Sequence, residues 1–164
     1  MSRSVVAFLL IACASCAGIP AESPAALKGH LVLDVDPNPL VARQVGEDLY
    51  EVAFDIIMRE QGGVGVRIDD FTVDAIAFKG VTVQSQMFPA SFITDRGYPA
   101  NVAAGKYLRF SFVKRWSLPT RLLLSGASLR VTARTTDENG RRNVSNARIG
   151  VTVADADLSG SSLK

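Results

Sequence analysis

From Leu129 to Arg134 apolar residues alternate one for one with polar ones, Leu129, Val131 and Ala133 against Arg130, Thr132 and Arg134. A period of two puts every second side chain on the same face, the geometry of a strand with one side buried. Asp137-Glu138-Asn139-Gly140 follows, and Asn-Gly supplies the positive φ that a tight hairpin needs. Ala147, Ile149, Val151 and Val153 then form the returning strand. Nowhere does the chain sustain the 3.6-residue period of an amphipathic helix, so helical bundles are excluded and an all-β fold remains.

The same grammar runs backwards through the chain. Leu31 to Val35 reads as a first strand, stopped by Asp36-Pro37-Asn38-Pro39, because proline cannot donate to a ladder. Leu49 to Glu60 is a longer strand with Tyr50, Val52, Phe54, Ile56 and Met58 on one face and Glu51 and Asp55 on the other. Gly62-Gly63-Val64-Gly65 turns the chain into Val66 to Ala77, where the doubled Asp69-Asp70 predicts a bulge that re-phases the inward set to Phe71 and Val73. Weaker strands are expected at Val81 to Gln84 and Met87 to Ile93, and a loop from Thr94 to Gly105. Lys106 to Lys114 alternates again, with Leu108, Phe110 and Phe112 inward.

About seven strands in such an order point to a single Greek-key β-sandwich over residues 29–154, with a polar tail at 155–164. The run GASLRVTARTTDENGRRNVSNARIGVTV resembles the closing hairpin of immunoglobulin-like and fibronectin type III-like bacterial surface modules. YEVAFDIIMREQGGVGVRIDDFTV is similar to their early hairpin. The resemblance implies a binding or structural module. The antibody-type cysteine pair and its associated tyrosine are absent.

Residues 1–16 form a different region. Val5 to Ala14 is apolar and follows Arg3, yet it is shorter than the roughly 20 residues that span a bilayer. A basic start, a short apolar stretch and small residues make the layout of a secretory signal peptide. Leu10-Ile11-Ala12-Cys13 resembles the lipobox of bacterial lipoproteins, which implies acylation of Cys13, with Ala14 at the next position compatible with the outer membrane. Ordinary cleavage at Ala12-Cys13-Ala14 or Ser15-Cys16-Ala17 is the alternative, and gives a secreted or periplasmic protein. Residues 17–28, with two prolines and no periodicity, read as a tether.

Catalytic constellations are scarce. His30 is the one histidine, at the border of tether and strand, and reads as a strand-edge residue. No cysteine follows Cys16, so the domain has neither a disulfide nor a zinc set. Asp34, Asp36 and Asn38 occupy alternate positions and could offer oxygens to calcium, or cap the turns around the prolines. Gly62 to Gly65 is followed by a strand, so it is a hairpin turn and not a phosphate cradle. No cofactor is expected.

Charge is nearly balanced overall, which gives no general argument for nucleic acid. It is unevenly placed: residues 30–95 hold four basic and eleven acidic residues, and residues 96–148 hold eleven basic and two acidic. The expectation is that early and late strands lie side by side and form cross-strand ion pairs. Arg141, Arg142 and Asn139, at the last turn, are candidate partner contacts for an anionic group.

The function expected is that of a non-enzymatic module, lipid-anchored in a bacterial envelope, that contacts another envelope protein or a glycan. A periplasmic binder of a small apolar or sugar ligand is the alternative, and would need an apolar cavity of roughly 300 Å³ or more. A hydrolase with an unrecognised site ranks third.

Overall fold

The computed structural model describes residues 27–117, 124 and 126–154. Cys13, the candidate lipidation site, lies outside the described residues, as do the rest of the signal region and the tail. Nine strands are found among the described residues: β1 (Leu31–Asp36), β2 (Leu40–Gly46), β3 (Leu49–Glu60), β4 (Val66–Ile76), β5 (Thr82–Pro89), β6 (Asn101–Val102), β7 (Tyr107–Ser117), β8 (Ser128–Asp137) and β9 (Arg142–Val153). A single short helix, α1 (Ala90–Thr94), and a 3₁₀ turn at Phe78–Gly80 accompany them.

One layer is built from β1, β3 and β7, with β1 and β7 antiparallel to opposite edges of β3. The other runs β5–β4–β8–β9, all antiparallel, with β6 beside the start of β4. Strand β2 joins the layers. Leu40 to Ala42 run parallel to Val151 to Val153 of β9, and Arg43 and Gln44 then pair with Glu51 and Tyr50 of β3. This is a β-sandwich, as the alternation predicts, and immunoglobulin-like, as the resemblance implies, with nine strands among the described residues rather than about seven.

The inward residues are those of the sequence pattern. Tyr50, Val52, Phe54, Ile56 and Met58 of β3 face Phe71 and Val73 of β4 and Leu129, Val131 and Ala133 of β8 across the interior. Phe71 is fully buried at the centre, with ring centroids 4.8 Å from Phe88 and 5.8 Å from Phe110. The bulge at the doubled aspartate is present: Ile68 pairs with Thr135 and Asp70 with Arg134, so the buried set shifts from Val66 and Ile68 to Phe71 and Val73.

Two expectations need correction: the loop from Thr94 to Gly105 contains the short strand β6, and the two weak strands before it are differently built. The weak strands at Val81 to Gln84 and Met87 to Ile93 are one strand, β5, followed by α1. Pro89 has no N–H for the ladder and closes the strand. Helix α1 then folds Phe92 back onto Phe88 at 4.5 Å and buries Ile93. Strand β2 escapes a reading by alternation, because only Leu40 and Ala42 are buried and the next four residues are exposed.

The uneven charge resolves into cross-strand pairs between early acids and late bases. Arg115 meets Glu51 at 2.8 Å, Arg109 meets Asp55 at 2.8 Å and Asp36 at 3.1 Å, Arg130 meets Asp74 at 2.8 Å, and Arg134 meets Asp70 at 2.9 Å. Glu51–Arg115, Asp74–Arg130 and Asp70–Arg134 are directly opposite in register. Exposed pairs such as Glu51–Arg115 each add about 0–1 kcal/mol, so they favour one register more than they stabilise the fold, whereas Asp74 is buried and also accepts from Ser85 Oγ.

Stability should therefore separate these two contributions. Phe71→Ala is expected to cost about 3–5 kcal/mol in urea unfolding, from lost burial and the cavity left behind. Arg115→Ala should cost under about 1 kcal/mol. Equal losses would contradict the account of the core.

Candidate functional site

The chain reaches the sandwich at one end, here called proximal, formed by residues 27–30, the β3–β4 turn, the turn before β7 and the β8–β9 turn. Two carboxylates organise it. Glu60 continues the inward set of β3 by one step past Met58, and Asp137 continues that of β8 past Thr135. Both are buried, and a buried carboxylate must be matched by donors.

The donors are backbone amides. Glu60 accepts N–H bonds from His30 at 3.2 Å, Gly62 at 2.6 Å, Gly63 at 3.1 Å and Gly105 at 2.9 Å. Asp137 accepts from Gly29 at 3.2 Å, Asn139 at 2.9 Å and Arg141 at 2.8 Å. For Glu60, burial pushes the carboxyl up, but the four amides outweigh it and hold its pKa below the ordinary 4.5. For Asp137, the Arg141 amide leads, against a smaller cost of burial, and with Gly29, Asn139 and the Arg141 charge it keeps the pKa below 3.8.

The closing hairpin completes the grip on the arriving segment. Asn143 Nδ2 donates to the Gly29 carbonyl at 3.0 Å, Ser145 Oγ donates to the Leu31 carbonyl, and Gln61 N donates to the His30 carbonyl at 2.9 Å. Contact is close enough to require glycine. A Cβ on Gly62 would lie 1.7 Å from the Lys28 carbonyl oxygen, and one on Gly29 would lie 2.5 Å from Val66.

The sequence-predicted residues fall around this end or outside it. Arg141 and Arg142 are exposed in the β8–β9 turn. Asn139 has its side-chain amide turned to the Leu27 carbonyl at 3.4 Å, so it faces the arriving chain. His30 is exposed and contributes its backbone, not a cleft. Asp34 and Asp36 stand on the exposed face of β1, where Asp36 is paired with Arg109, and Asn38 lies in the following turn. Among the described residues no cluster of three or more His, Cys, Asp or Glu is placed to hold a metal.

Glu60 and Asp137 were not singled out by sequence. The signal was present: an acid in phase with a buried face, at a strand end, followed by a turn rich in glycine or Asx residues.

Among the described residues the side chains of the two layers pack into one hydrophobic core. A hollow lined by Ile76, Val83, Trp116, Leu124 and Val151 measures about 20 Å³, the space of one water. An open polar depression of about 570 Å³ lies over Asp70, Arg134, Thr136 and Arg142, and there Arg67 and Arg134 are already paired with Asp69 and Asp70. Among the described residues no helix is long and apolar enough to cross a membrane.

No family model matches this chain, and no curated protein is similar to it in sequence. Solved structures are. An X-ray structure of Northeast Structural Genomics Consortium target SoR45 is similar at 11% identity and TM-score 0.53, over 74% of this chain and 86% of that one. A structure named for the ApaA protein of Bordetella pertussis matches at 13% identity and TM-score 0.49, over 75% and 94%. The CARDB domain of PF1109 from Pyrococcus furiosus matches at 13% identity and TM-score 0.33, over 76% and 89%. The likeness to the first of these, at 11% identity, is one of fold alone.

The proximal grip makes two predictions. Glu60 is stabilising while ionised, since its folded pKa lies below the unfolded one. That contribution is full above the unfolded value and is lost as pH falls from about 4.5 through the folded pKa. Glu60→Gln should lower the melting temperature at neutral pH and flatten its fall in acid; an unchanged acid profile would count against the amide cradle. Gly62→Ala should destabilise the domain and raise hydrogen exchange at His30 and Leu31 ahead of the β8 core.

Proposed function

We propose that this chain is a non-catalytic β-sandwich module, held in a bacterial envelope by a lipid on Cys13, that presents its side to another envelope protein or a glycan. The carrying observation is the way the chain arrives. The segment after the tether is not a loose lead-in: it is bonded into the proximal end by Glu60, Asp137, Asn143 and Ser145. An attachment placed before Leu27 therefore acts on a fixed point of the domain.

For the partner contact we favour strand β5. Among the described residues it is the outer strand of its layer, and only Phe88 of its eight residues is buried. An open edge accepts an extended segment through main-chain hydrogen bonds. Inward-pointing polar residues guard it: Gln84 accepts from Trp116 Nε1 at 2.7 Å, and Gln86 accepts from Lys114 Nζ. A small-ligand binder is less favoured, because about 20 Å³ of hollow is far below the roughly 300 Å³ that such a ligand fills.

Two measurements test the reading. Intact mass of the protein isolated from cells should show an acylated Cys13 at its start, and a chain beginning at Gly18 would refute the anchor. A photo-crosslinker at Met87 on β5 should capture a defined partner that the same probe at Arg43 does not. Identical capture from both positions would remove β5 as the contact.

A further inference from the structure

Most basic side chains of the sandwich are occupied. Arg67, Arg109, Arg115, Arg130 and Arg134 sit in ion pairs. Arg59 and Arg96 lie over the rings of Tyr107 and Phe92. Lys114 and Arg148 donate to Gln86 and Ser128.

Among the described residues, Lys28, Lys106, Arg141 and Arg142 have neither an ion pair nor a side-chain hydrogen bond, and all four are exposed at the proximal end. Arg43, toward the other end of the sandwich, is the remaining residue of this kind. The four are held apart on a rigid frame. Lys28 lies in the gripped segment, and the Lys106 carbonyl accepts from Glu60 N at 2.9 Å. The Arg141 carbonyl accepts from Asp137 N at 2.9 Å, and Arg142 opens β9.

The acids of this end do not neutralise them by pairing. Glu60 and Asp137 turn inward and are matched by backbone amides, which leaves Glu138 as the exposed carboxylate of the turn. Leu27, 65% exposed, stands among the cations. A surface with four exposed cations, of which Arg141 also acts on the buried Asp137, one exposed acid and an apolar side chain complements a layer of anionic headgroups over acyl chains.

We infer that the proximal end of the sandwich is a seat for anionic phospholipid headgroups. The inference rests on the anchored reading for its placement. Leu27 follows Cys13 by fourteen residues, so this end can be no farther than about 50 Å from an acylated Cys13, at roughly 3.5 Å per extended residue. The tether keeps this end within reach of the bilayer, and its cations with Leu27 turn it toward the headgroups, which leaves β5 and its edge on the flank.

The test uses the full chain as isolated, its N-terminus defined by mass, on phosphatidylcholine vesicles with and without phosphatidylglycerol. Amine footprinting should show Lys28 and Lys106 protected only where phosphatidylglycerol is present, with Lys79 at the opposite end unchanged. Protection should vanish in high salt, as the screening length falls from about 10 Å at 0.1 M to about 3 Å at 1 M.

For a chain found without acyl groups, each basic residue near an anionic surface is worth roughly fivefold in binding. Arg141→Gln with Arg142→Gln should then weaken vesicle binding by roughly 25-fold. If an acylated chain stays on the vesicles while Lys28 and Lys106 remain equally reactive on both lipids, the headgroup seat is refuted and the anchor stands. An unacylated mass with lipid-dependent protection sinks the anchor and supports the seat. If the double variant loses a cross-linked protein and keeps the vesicle protection, Arg141 and Arg142 belong to a protein interface and the proposal fails.

Discussion

A carboxylate that a strand carries into the interior has to be met by donors, and where they come from decides what is tied together. Glu60 draws its four amides from the arriving segment, the β3–β4 turn and the turn before β7. Those pieces are distant in sequence, with Gly105 forty-five residues from Glu60. The carboxylate makes them one surface. Asp137 does the same for Gly29 and its own hairpin turn. The proximal end is thus set by two buried charges matched mainly by backbone amides, so that among its described cations Arg141 alone acts on one of them and none forms an ion pair.

The rest of the molecule handles charge differently. Along the sheet faces the acids of β3 and β4 lie against the bases of β7 and β8, so opposite charges there are paired one to one. Charges paired in the middle and exposed at one end favour one orientation near any charged layer. Both patterns follow from the topology, since a Greek key puts early strands beside late ones.

The fold was legible because period-two alternation needs no knowledge of partners. Tyr50 to Met58 and Leu129 to Ala133 declare their buried face locally, and the doubled aspartate at 69–70 declares its bulge. What stayed hidden depends on pairing across the chain. Strand β2 divides its hydrogen bonds between two layers and buries only Leu40 and Ala42, so no window of sequence shows a face. The segment after Phe88 looks like continued strand until Pro89 closes the ladder and helix α1 finds room for Ile93. At the site, Arg141 and Arg142 could be named from composition, whereas the role of Glu60 needed the position of Gly105.

The pairing of β2 with β9 also sets an order of events. Leu40 lies against Val151, near the two limits of the described chain, and the early carbonyls of Gly29 and Leu31 wait for Asn143 and Ser145. These contacts cannot form on a partly synthesised chain. Contacts so remote in sequence also slow closure, because the intervening loop must be ordered first. Strand β1 can pair with β3 early, but the join between the two layers through β2 is completed only when β9 has been made.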